Sequence, residues 1–362
     1  MKNTRQITKA MKMVAAAKLR RAQERMTNAR PYAVMLASVL ASLRRRLEAV
    51  DPTTNEQRSP LLTARPEKNI LLVIISGDKG FAGAFSTNIV RSATQFIADM
   101  RANEDDRTID LEAIGRKGRD FFRRSYPVAQ FAKAPEPEGG HAQERPERSR
   151  KAEVEFLANE QAAHIVLDRL SFEDVRGVSE DIVARYAAAE IDAVYLVYNE
   201  FKSVISQRVV VKRILPLVAG KEGEIQSPEI SAIAEPTEEE RQKAAEAART
   251  AGITLRDEEQ EAIRAQYEDE SKRFGTAEVD YLYDQPAAEV YEALLPRYVS
   301  ALLYYACLES VASEHAARMT AMDAATNNAG DLIDSLTLTM NRVRQAAITK
   351  EIIEIVSGAA AV

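Results

Sequence analysis

Both ends of this 362-residue chain carry a long apolar seam with helical spacing. The seam near the N-terminus runs through Leu19, Ala22, Met26, Ala29, Ala33, Leu36, Leu40, Leu43 and Leu47. The seam near the C-terminus runs through Leu294, Tyr298, Ala301, Tyr305, Leu308, Ala312, His315, Met319, Met322, Thr326, Ala329, Ile333, Leu336, Met340, Val343 and Ala347. A seven-residue repeat is under-wound relative to a free helix, so it predicts a left-handed coiled coil. We expect the two ends to pair antiparallel and to hold the middle of the chain as a compact domain.

The distribution of glycine and proline allows both ends to form long helices. Glycine is absent before Gly77, and proline is absent from Arg297 to Val362. The C-terminal helix is therefore predicted over Ala287 to Val356, about 105 Å at about 1.5 Å per residue, with Pro286 in its first turn. The N-terminal helix is predicted over residues 1–48, with a bend at Pro31.

The middle of the chain alternates between strand and helix patterns. The predicted strands are 69–76, 109–115, 193–199 and 204–215, and the predicted helices are 84–100, 116–124 and 179–189. This alternation predicts an α/β layer with a mainly parallel sheet. The fold class is thus α/β plus coiled coil: an antiparallel two-helix coiled coil with a Rossmann-like central α/β domain.

The predicted organisation has four parts. They are an N-terminal coiled-coil helix (1–50), a central α/β domain (67–216) with an enlarged loop (133–165), an acidic helical insertion (217–279), and a final short strand with the C-terminal coiled-coil helix (280–362). The short strand is expected at Tyr281 to Tyr283. The insertion is alanine-rich with sparse apolar residues, so it is expected to lie on a surface.

Charge is distributed unevenly along the chain. Residues 1–50 carry twelve Lys/Arg and two Glu, a net charge of +10, whereas residues 221–280 carry eight Lys/Arg and seventeen Asp/Glu, a net charge of −9. A basic rod favours an acidic partner surface, which includes nucleic acid, although a solvated helix face explains the same charges. Cys307 is the only cysteine, so an intrachain disulfide is excluded, and no apolar run reaches the length of a membrane span.

The sequence offers no active site. The glycine turn Gly77 to Gly83 lies between a strand and a helix, where phosphate-binding loops occur, but it matches neither GxGxxG nor a Walker loop. We therefore interpret it as a tight structural turn. His141, His164 and His315 are too scattered for a metal site, and His315 falls on the C-terminal seam as a half-buried residue. No catalytic residue, cofactor or metal is predicted.

The last turns of the C-terminal helix are apolar on several sides. Ile348, Ile352, Ile353, Ile355 and Val356 surround much of the helix rather than forming one stripe. A helix end of this kind needs to be enclosed by other molecules. We interpret it as a segment that other subunits enclose, in preference to a frayed terminus.

Several segments resemble the γ subunit of F-type ATP synthases. They are Lys2 to Lys18, Ser76 to Asn88, Tyr195 to Ser203, Ala312 to Thr326 and Asn341 to Ile352. The resemblance implies a non-catalytic rotor that couples proton-driven rotation of a ring of c subunits to ATP synthesis or hydrolysis in a hexamer of α and β subunits. It also implies contact with the ε subunit, no nucleic acid, and a peripheral position on the cytoplasmic face of the bacterial inner membrane.

The resemblance also assigns roles to individual positions. The positions that match residues facing the α/β head are Lys9, Met11, Arg318, Arg344, Gln345, Thr349 and Glu351. Tyr281, Tyr283 and Asp284 match the foot that meets the c-ring and ε. Family members usually extend about a dozen residues upstream of Lys2, so we expect either that the start of this sequence is wrongly assigned or that the N-terminal helix is about three turns short.

Two other classes of function remain open from the residues alone. The basic N-terminal helix is compatible with a coiled-coil tether or a nucleic-acid-binding rod. The glycine turn is compatible with a nucleotide-using enzyme built on the central sheet.

Overall fold

The structure is a computed structural model of the whole chain. It describes residues 1–50, 59–103, 106–131, 148–204, 207–219, 225–226, 229–233 and 284–360, with a few isolated positions between 242 and 250.

Two long helices dominate the molecule. Helix α1 covers Lys2–Val50 and contains Pro31, and helix α6 covers Ala287–Ala360, 74 residues. The carbonyl of Pro286 accepts the backbone N–H groups of Glu289 and Val290, so α6 begins where the sequence predicts. The unbroken run of this helix from Arg297 onwards is consistent with the absence of proline after Pro296.

The two helices lie side by side and run in opposite directions. Lys12 pairs with Asp323 at 2.5 Å, and Thr326 donates a hydrogen bond to the hydroxyl of Thr8 at 2.8 Å. Further along, the guanidinium of Arg5 lies next to Gly330. Residue numbers therefore fall along α1 as they rise along α6. The buried side chains between the helices and the sheet include Leu19, Leu40, Leu43, Leu303, Leu308 and Met319.

Helix α6 continues alone beyond Gly330. Residues 331–360 extend past the first turn of α1, a distance of about 45 Å at about 1.5 Å per residue. The seam residues Leu336 and Met340 in this part are exposed, in contrast to Met319 and Met322. We call this exposed part of the described chain the free end of α6 (residues 331–360).

A six-stranded mixed sheet forms the centre of the molecule, in the order β10-β7-β6-β1-β2-β5. Its strands are β1 (Asn69–Ile75), β2 (Thr108–Ile114), β5 (Val154–Phe156), β6 (Ala193–Phe201), β7 (Gln207–Leu215) and β10 (Glu229–Ile233). The pairs β1–β2, β1–β6 and β2–β5 are parallel, and β6–β7 and β7–β10 are antiparallel. Two-stranded ribbons join β3 (Gln130–Phe131) to β4 (Arg148–Ser149) and β8 (Val218–Ala219) to β9 (Ile225–Gln226).

Helices cover both faces of the sheet. The shorter helices are α2 (Phe85–Asn103), α3 (Arg116–Ser125), α4 (Glu160–His164) and α5 (Phe172–Ala187). Along β1, Leu72 and Ile74 pack in one apolar cluster with residues of α2 and α3, and Leu71 and Val73 pack in the other with residues of α1, α5 and α6. This alternation follows from the period of two in a strand. The sheet therefore presents one face to the two long helices.

Helix α5 begins earlier than the sequence analysis predicted. The prediction placed this helix over 179–189, but it begins at Phe172. Ser171 caps it: its hydroxyl accepts the N–H of Asp174, and the carboxylate of Asp174 accepts the N–H of Ser171. This reciprocal capping box is a start signal that the prediction overlooked.

Two regions differ in secondary structure from the prediction. The segment 133–165 was predicted to be an enlarged loop, yet its second half supplies β5 to the sheet, and α4. An acidic helical insertion was predicted over 217–279; its described beginning forms β8, β9 and β10, and most of the remainder lies outside the described residues. The strands are short and carry charged residues, such as Glu155, which obscured their pattern. The predicted strand Tyr281 to Tyr283 lies outside the described residues.

Candidate functional site

The glycine turn is filled by side chains of α6. The guanidinium of Arg318 donates hydrogen bonds to the carbonyls of Gly80 at 3.2 Å and Lys79 at 3.4 Å, and it also pairs with Glu314. A Cβ placed on Gly77 would lie 3.0 Å from the carboxylate carbon of Glu314. The space over the turn is thus occupied from within the chain, which supports the tight structural turn over a phosphate-binding loop.

Asp78 connects this turn to two other elements of the sheet domain. One carboxylate oxygen accepts the N–H of Arg116 at 3.1 Å, at the start of α3. The other accepts the N–H of Leu167 at 2.9 Å, at the start of the 3-10 turn Leu167–Arg169. Asp78 therefore places that 3-10 turn next to the glycine turn.

Asp168, in the same 3-10 turn, binds one lysine from α1 and one from the glycine turn and lies next to a histidine of α6. Its carboxylate accepts the ammonium groups of Lys18 at 2.7 Å and Lys79 at 2.6 Å, and the Nε2 of His315 lies 3.3 Å away. Burial alone raises the pKa of Asp168, but the two lysines outweigh burial and hold it well below its ordinary value. Asp168 is therefore an anion at neutral pH.

His315 is more deeply enclosed than the half-buried position that the sequence analysis predicted. It is 3% exposed, and its Nδ1 lies 3.1 Å from the guanidinium of Arg318. Burial lowers the pKa of His315 to about 4, a shift that Asp168 opposes and Arg318 reinforces. The imidazole is thus neutral at pH 7. Burial likewise raises the pKa of Glu314, whereas Arg318 opposes that shift.

A buried ion pair between Lys12 and Asp323 joins α1 to α6. Lys12 is 4% exposed and is bound to Asp323. The sequence analysis did not assign this residue. Extending the seven-residue spacing back from Leu19 places Lys12 on the N-terminal seam, and a charge on a buried seam needs a counter-charge. That spacing was the signal that could have identified Lys12, whereas Asp323 had no comparable local signal.

Most of the residues assigned to the α/β head lie on exposed helix surface. Arg344, Gln345, Thr349 and Glu351 are exposed on the free end of α6, and Lys9 is exposed on α1. Met11 is half-buried. The four residues on the free end of α6 thus lie together on one segment. Lys9 and Met11 lie on α1 instead, opposite the region of α6 around Asp323.

Arg318 and the foot residues stand apart from that group. Arg318 is 9% exposed and is engaged with Glu314 and the glycine turn, so it has little surface left for another subunit. The structure therefore gives Arg318 an intramolecular role that the assignment to a partner surface did not anticipate. Asp284 is exposed just before α6, and Tyr281 and Tyr283 lie outside the described residues.

The free end of α6 exposes several large apolar side chains. Ile348, Ile352, Ile353 and Val356 are all about half exposed or more, and Ile355 is 71% exposed. Large exposed apolar surfaces of this kind mark sites of protein interaction. The apolar side chains of this surface are suited to burial against another protein and not to catalysis.

In the described ranges, no cluster of three or more His, Cys, Asp and Glu side chains is arranged to bind a metal ion. Within the same ranges, no helix combines the length and hydrophobicity needed to cross a lipid bilayer.

A mixed α/β domain from which a pair of long helices extends, with one helix ending in an exposed apolar segment, defines a stalk-type subunit of a larger assembly. Comparisons with known proteins identify the family. A family model for ATP synthase matches residues 1–362. The ATP synthase gamma chain of Solibacter usitatus is 42% identical over 360 residues, which cover 99% of this chain and 94% of that protein. That of Pelotomaculum thermopropionicum is 36% identical over 361 residues, with the same coverage.

This chain belongs to the family of ATP synthase gamma chains, the subunits of the central stalk in rotary ATP synthesis. Among solved structures, the central stalk of the Tetrahymena thermophila mitochondrial ATP synthase aligns over 88% of this chain and 99% of that chain. Its sequence identity is 22% and its TM-score 0.48, values too low to support a functional detail.

Proposed function

We propose that this chain is the non-catalytic shaft that transmits torque between a c-ring and the catalytic hexamer of α and β subunits. In this proposal the free end of α6 enters the hexamer, and the opposite end of the molecule meets the ε subunit and the c-ring. The complex holds the chain peripherally at the cytoplasmic face of the bacterial inner membrane. The foot contacts are assigned to Tyr281, Tyr283 and Asp284.

The observation that carries this proposal is the exposure of the free end of α6. Burying one Ile side chain is worth about 1.5 to 3 kcal/mol, so several exposed Ile residues on one helix end favour a partner that encloses them. The hexamer of the related assemblies supplies such a partner. An apolar surface on the free end of α6 also suits rotation inside the hexamer, because apolar contacts are non-directional and do not favour one angle of the helix.

The finer architecture belongs to the same proposal. The seven-residue spacing and the antiparallel contacts of α1 and α6 support a left-handed coiled coil. Three parallel strand pairs with helices on both faces support a Rossmann-like central domain. Close approach at small seam residues such as Ala22 and Ala312 would make the shaft stiff.

The alternative of a nucleic-acid-binding rod depends on free cations along α1. Several of them are already engaged within the chain: Lys12 with Asp323, Lys18 with Asp168, and Arg25 with the carbonyl of Leu170. The central-sheet enzyme depends on the glycine turn, which Arg318 and Glu314 occupy. These contacts engage part of the basic surface of α1 and the space over the glycine turn, and so favour the shaft over both alternatives.

Co-purification tests the partners of the shaft. A tagged form of the full chain, expressed in its source cells, should bring α, β, ε and c subunits with it from detergent-solubilised membranes. Recovery of the tagged chain alone, or with nucleic acid released by high salt, would contradict the proposal.

Arg344 and Gln345 are proposed to hydrogen-bond a loop of a β subunit in only some rotary states. Replacing both with Ala should lower coupled ATPase activity and torque in the reconstituted complex. The matched control is Asn327→Ala/Asn328→Ala, two exposed polar residues on the part of α6 that lies beside α1. Activity and torque unchanged from those of the control would remove this assignment.

A further inference from the structure

A short segment of the sheet domain touches both long helices. It consists of the 3-10 turn Leu167–Arg169 together with Leu170, and we call it the bracket (residues 167–170). Leu167 and Leu170 are buried in the same apolar cluster as the long helices. The N–H of Leu167 is held by Asp78, so the backbone of the bracket is anchored to the sheet domain.

The bracket holds α1 at two points. The ammonium of Lys18 binds Asp168 at 2.7 Å, and the guanidinium of Arg25 donates a hydrogen bond to the carbonyl of Leu170. Lys18 and Arg25 are seven residues apart, which places them on one face of α1, separated by about 10 Å. Two contacts at that spacing oppose both sliding and rotation of α1 against the sheet domain.

Helix α6 reaches the same carboxylate and has further contacts of its own. His315 lies 3.3 Å from Asp168. In addition, the hydroxyl of Ser310 donates to the carbonyl of Ile75, and that of Ser313 donates to the carbonyl of Asn199. With Arg318 on the glycine turn, α6 is thus fixed to β1, β6 and the turn. In the described residues, α6 has more extensive contacts with the strands of the sheet than α1 has.

We propose that the bracket transmits torque from the sheet domain to α1, with Asp168 as its positioning residue. This inference rests on the proposed function of the chain as a shaft. A twist applied to the sheet domain reaches α6 through its serine and arginine contacts. It reaches α1 through Lys18 and Arg25, so the two helices turn as one body rather than shearing along their seam.

Single-molecule rotation of the reconstituted complex tests the proposal. The bracket variant is Lys18→Met/Arg25→Gln, and the matched control is Arg20→Met/Arg21→Gln, which removes the same charge from exposed positions of α1. A bead is attached to the sheet domain through Ser125→Cys at the exposed end of α3. Within this chain, attachment is selective because Cys307, its only native cysteine, is fully buried; the other subunits are used in cysteine-free form.

The bracket variant should show larger angular fluctuations of the stalled bead and a loss of stall torque, and Asp168→Asn should change both in the same direction. The control should behave as the wild type does. Wild-type stiffness and torque in the bracket variant, or equal losses in the control, would overturn the proposal. A wild-type chain that fails to assemble or rotate would instead contradict the shaft function itself.

Amide hydrogen exchange of the purified full chain provides a second measurement that does not require assembly. In the bracket variant, the amides of α1 around Lys18 to Arg25 should exchange faster than in the control, while β1 and β6 keep their protection. Equal protection of this part of α1 in the two variants would also overturn the proposal.

Discussion

Glu112 is a fully buried carboxyl group on β2, and only one of its oxygens has a hydrogen bond. Oε1 accepts the side-chain N–H of Asn159 at 2.9 Å, whereas Oε2 has no hydrogen-bond partner among the described residues. Burial raises the pKa of Glu112 to about 7, Arg185 opposes this shift, and Asp181 adds to it. Ionised Glu112 therefore destabilises the folded chain.

The pH dependence of Glu112→Gln follows from that shift. Because the folded-state pKa lies above the unfolded value of 4.5, the contribution of Glu112 to wild-type stability is highest below pH 4.5 and is lost as the pH rises towards 7. Gln does not ionise, so its gain over the wild type should grow to on the order of 3 kcal/mol at pH 8. Chemical denaturation at pH 5 and pH 8 measures this difference.

The control for this prediction is Glu153→Gln, at an exposed carboxylate paired with Arg101. It should show no comparable gain at pH 8, since exposed ion pairs contribute little. A Glu112→Gln variant with the same stability as the wild type at both pH values would show that Glu112 titrates normally.

Gly115 is required by a close approach between the ends of β1 and β2. Its φ is +93°, and a Cβ there would lie 2.1 Å from the carbonyl oxygen of Ser76. Gly115→Ala should therefore lower the free energy of unfolding by about 2 to 4 kcal/mol. Gly80→Ala is the matched control in the neighbouring turn, where a Cβ would meet nothing within 4 Å. Denaturation midpoints that do not differ between these variants would contradict this account.

At the scale of elements, the pair Lys12–Asp323 connects α1 to α6. Their side chains are 6% and 14% exposed, so Asp323→Asn leaves a buried ammonium without its counter-charge and should cost about 3 kcal/mol. The double variant Lys12→Met/Asp323→Leu should cost less than this single change, because no buried charge remains. Thermal or denaturant unfolding of the wild type, Lys12→Met, Asp323→Leu and the double variant gives the coupling energy. Additive losses would indicate that the pair is not coupled.

The long elements could be predicted from the sequence, and the short ones could not. Strand β1 was predicted from its continuous apolar run, and α6 from its proline-free stretch. The observed bounds of both elements differ from the predicted ones by only a few residues. Strand β5 has only three residues and carries Glu155, which accepts hydrogen bonds from the backbone of Lys151 and Ala152. Its place in the sheet depends on pairing with β2, which no local pattern shows.

At the scale of the whole molecule, the contacts around Asp168 arise only when distant parts of the chain meet. Lys18, Lys79 and His315 are separated from Asp168 by long stretches of sequence, and each alone resembles an ordinary surface or seam residue. The free end of α6 is the opposite case, since its apolar residues are contiguous and were recognised directly. The sequence alone therefore predicted the apolar surface at the end of α6, but it did not predict the contacts around Asp168 that connect the two long helices to the sheet domain.

We expect substitutions in the free end of α6 to affect the function of the assembly without changing the stability of the isolated chain. Its side chains past Gly330 are largely exposed and contribute little to the apolar clusters of the described chain. Ile352→Ser/Ile353→Ser/Ile355→Ser should therefore leave the denaturation midpoint of the isolated chain unchanged and reduce its self-association.

The same triple variant should lower ATP synthesis in the reconstituted complex, because the enclosing subunits lose several buried apolar contacts with the shaft. The control is Ile89→Ser in α2, at a fully buried position of the sheet domain, which should lower the stability of the isolated chain itself. Proton-driven synthesis and denaturation, measured side by side, distinguish the two effects. If the triple variant unfolds more easily but supports normal synthesis, the free end packs against the rest of the chain and is not the part that the hexamer encloses.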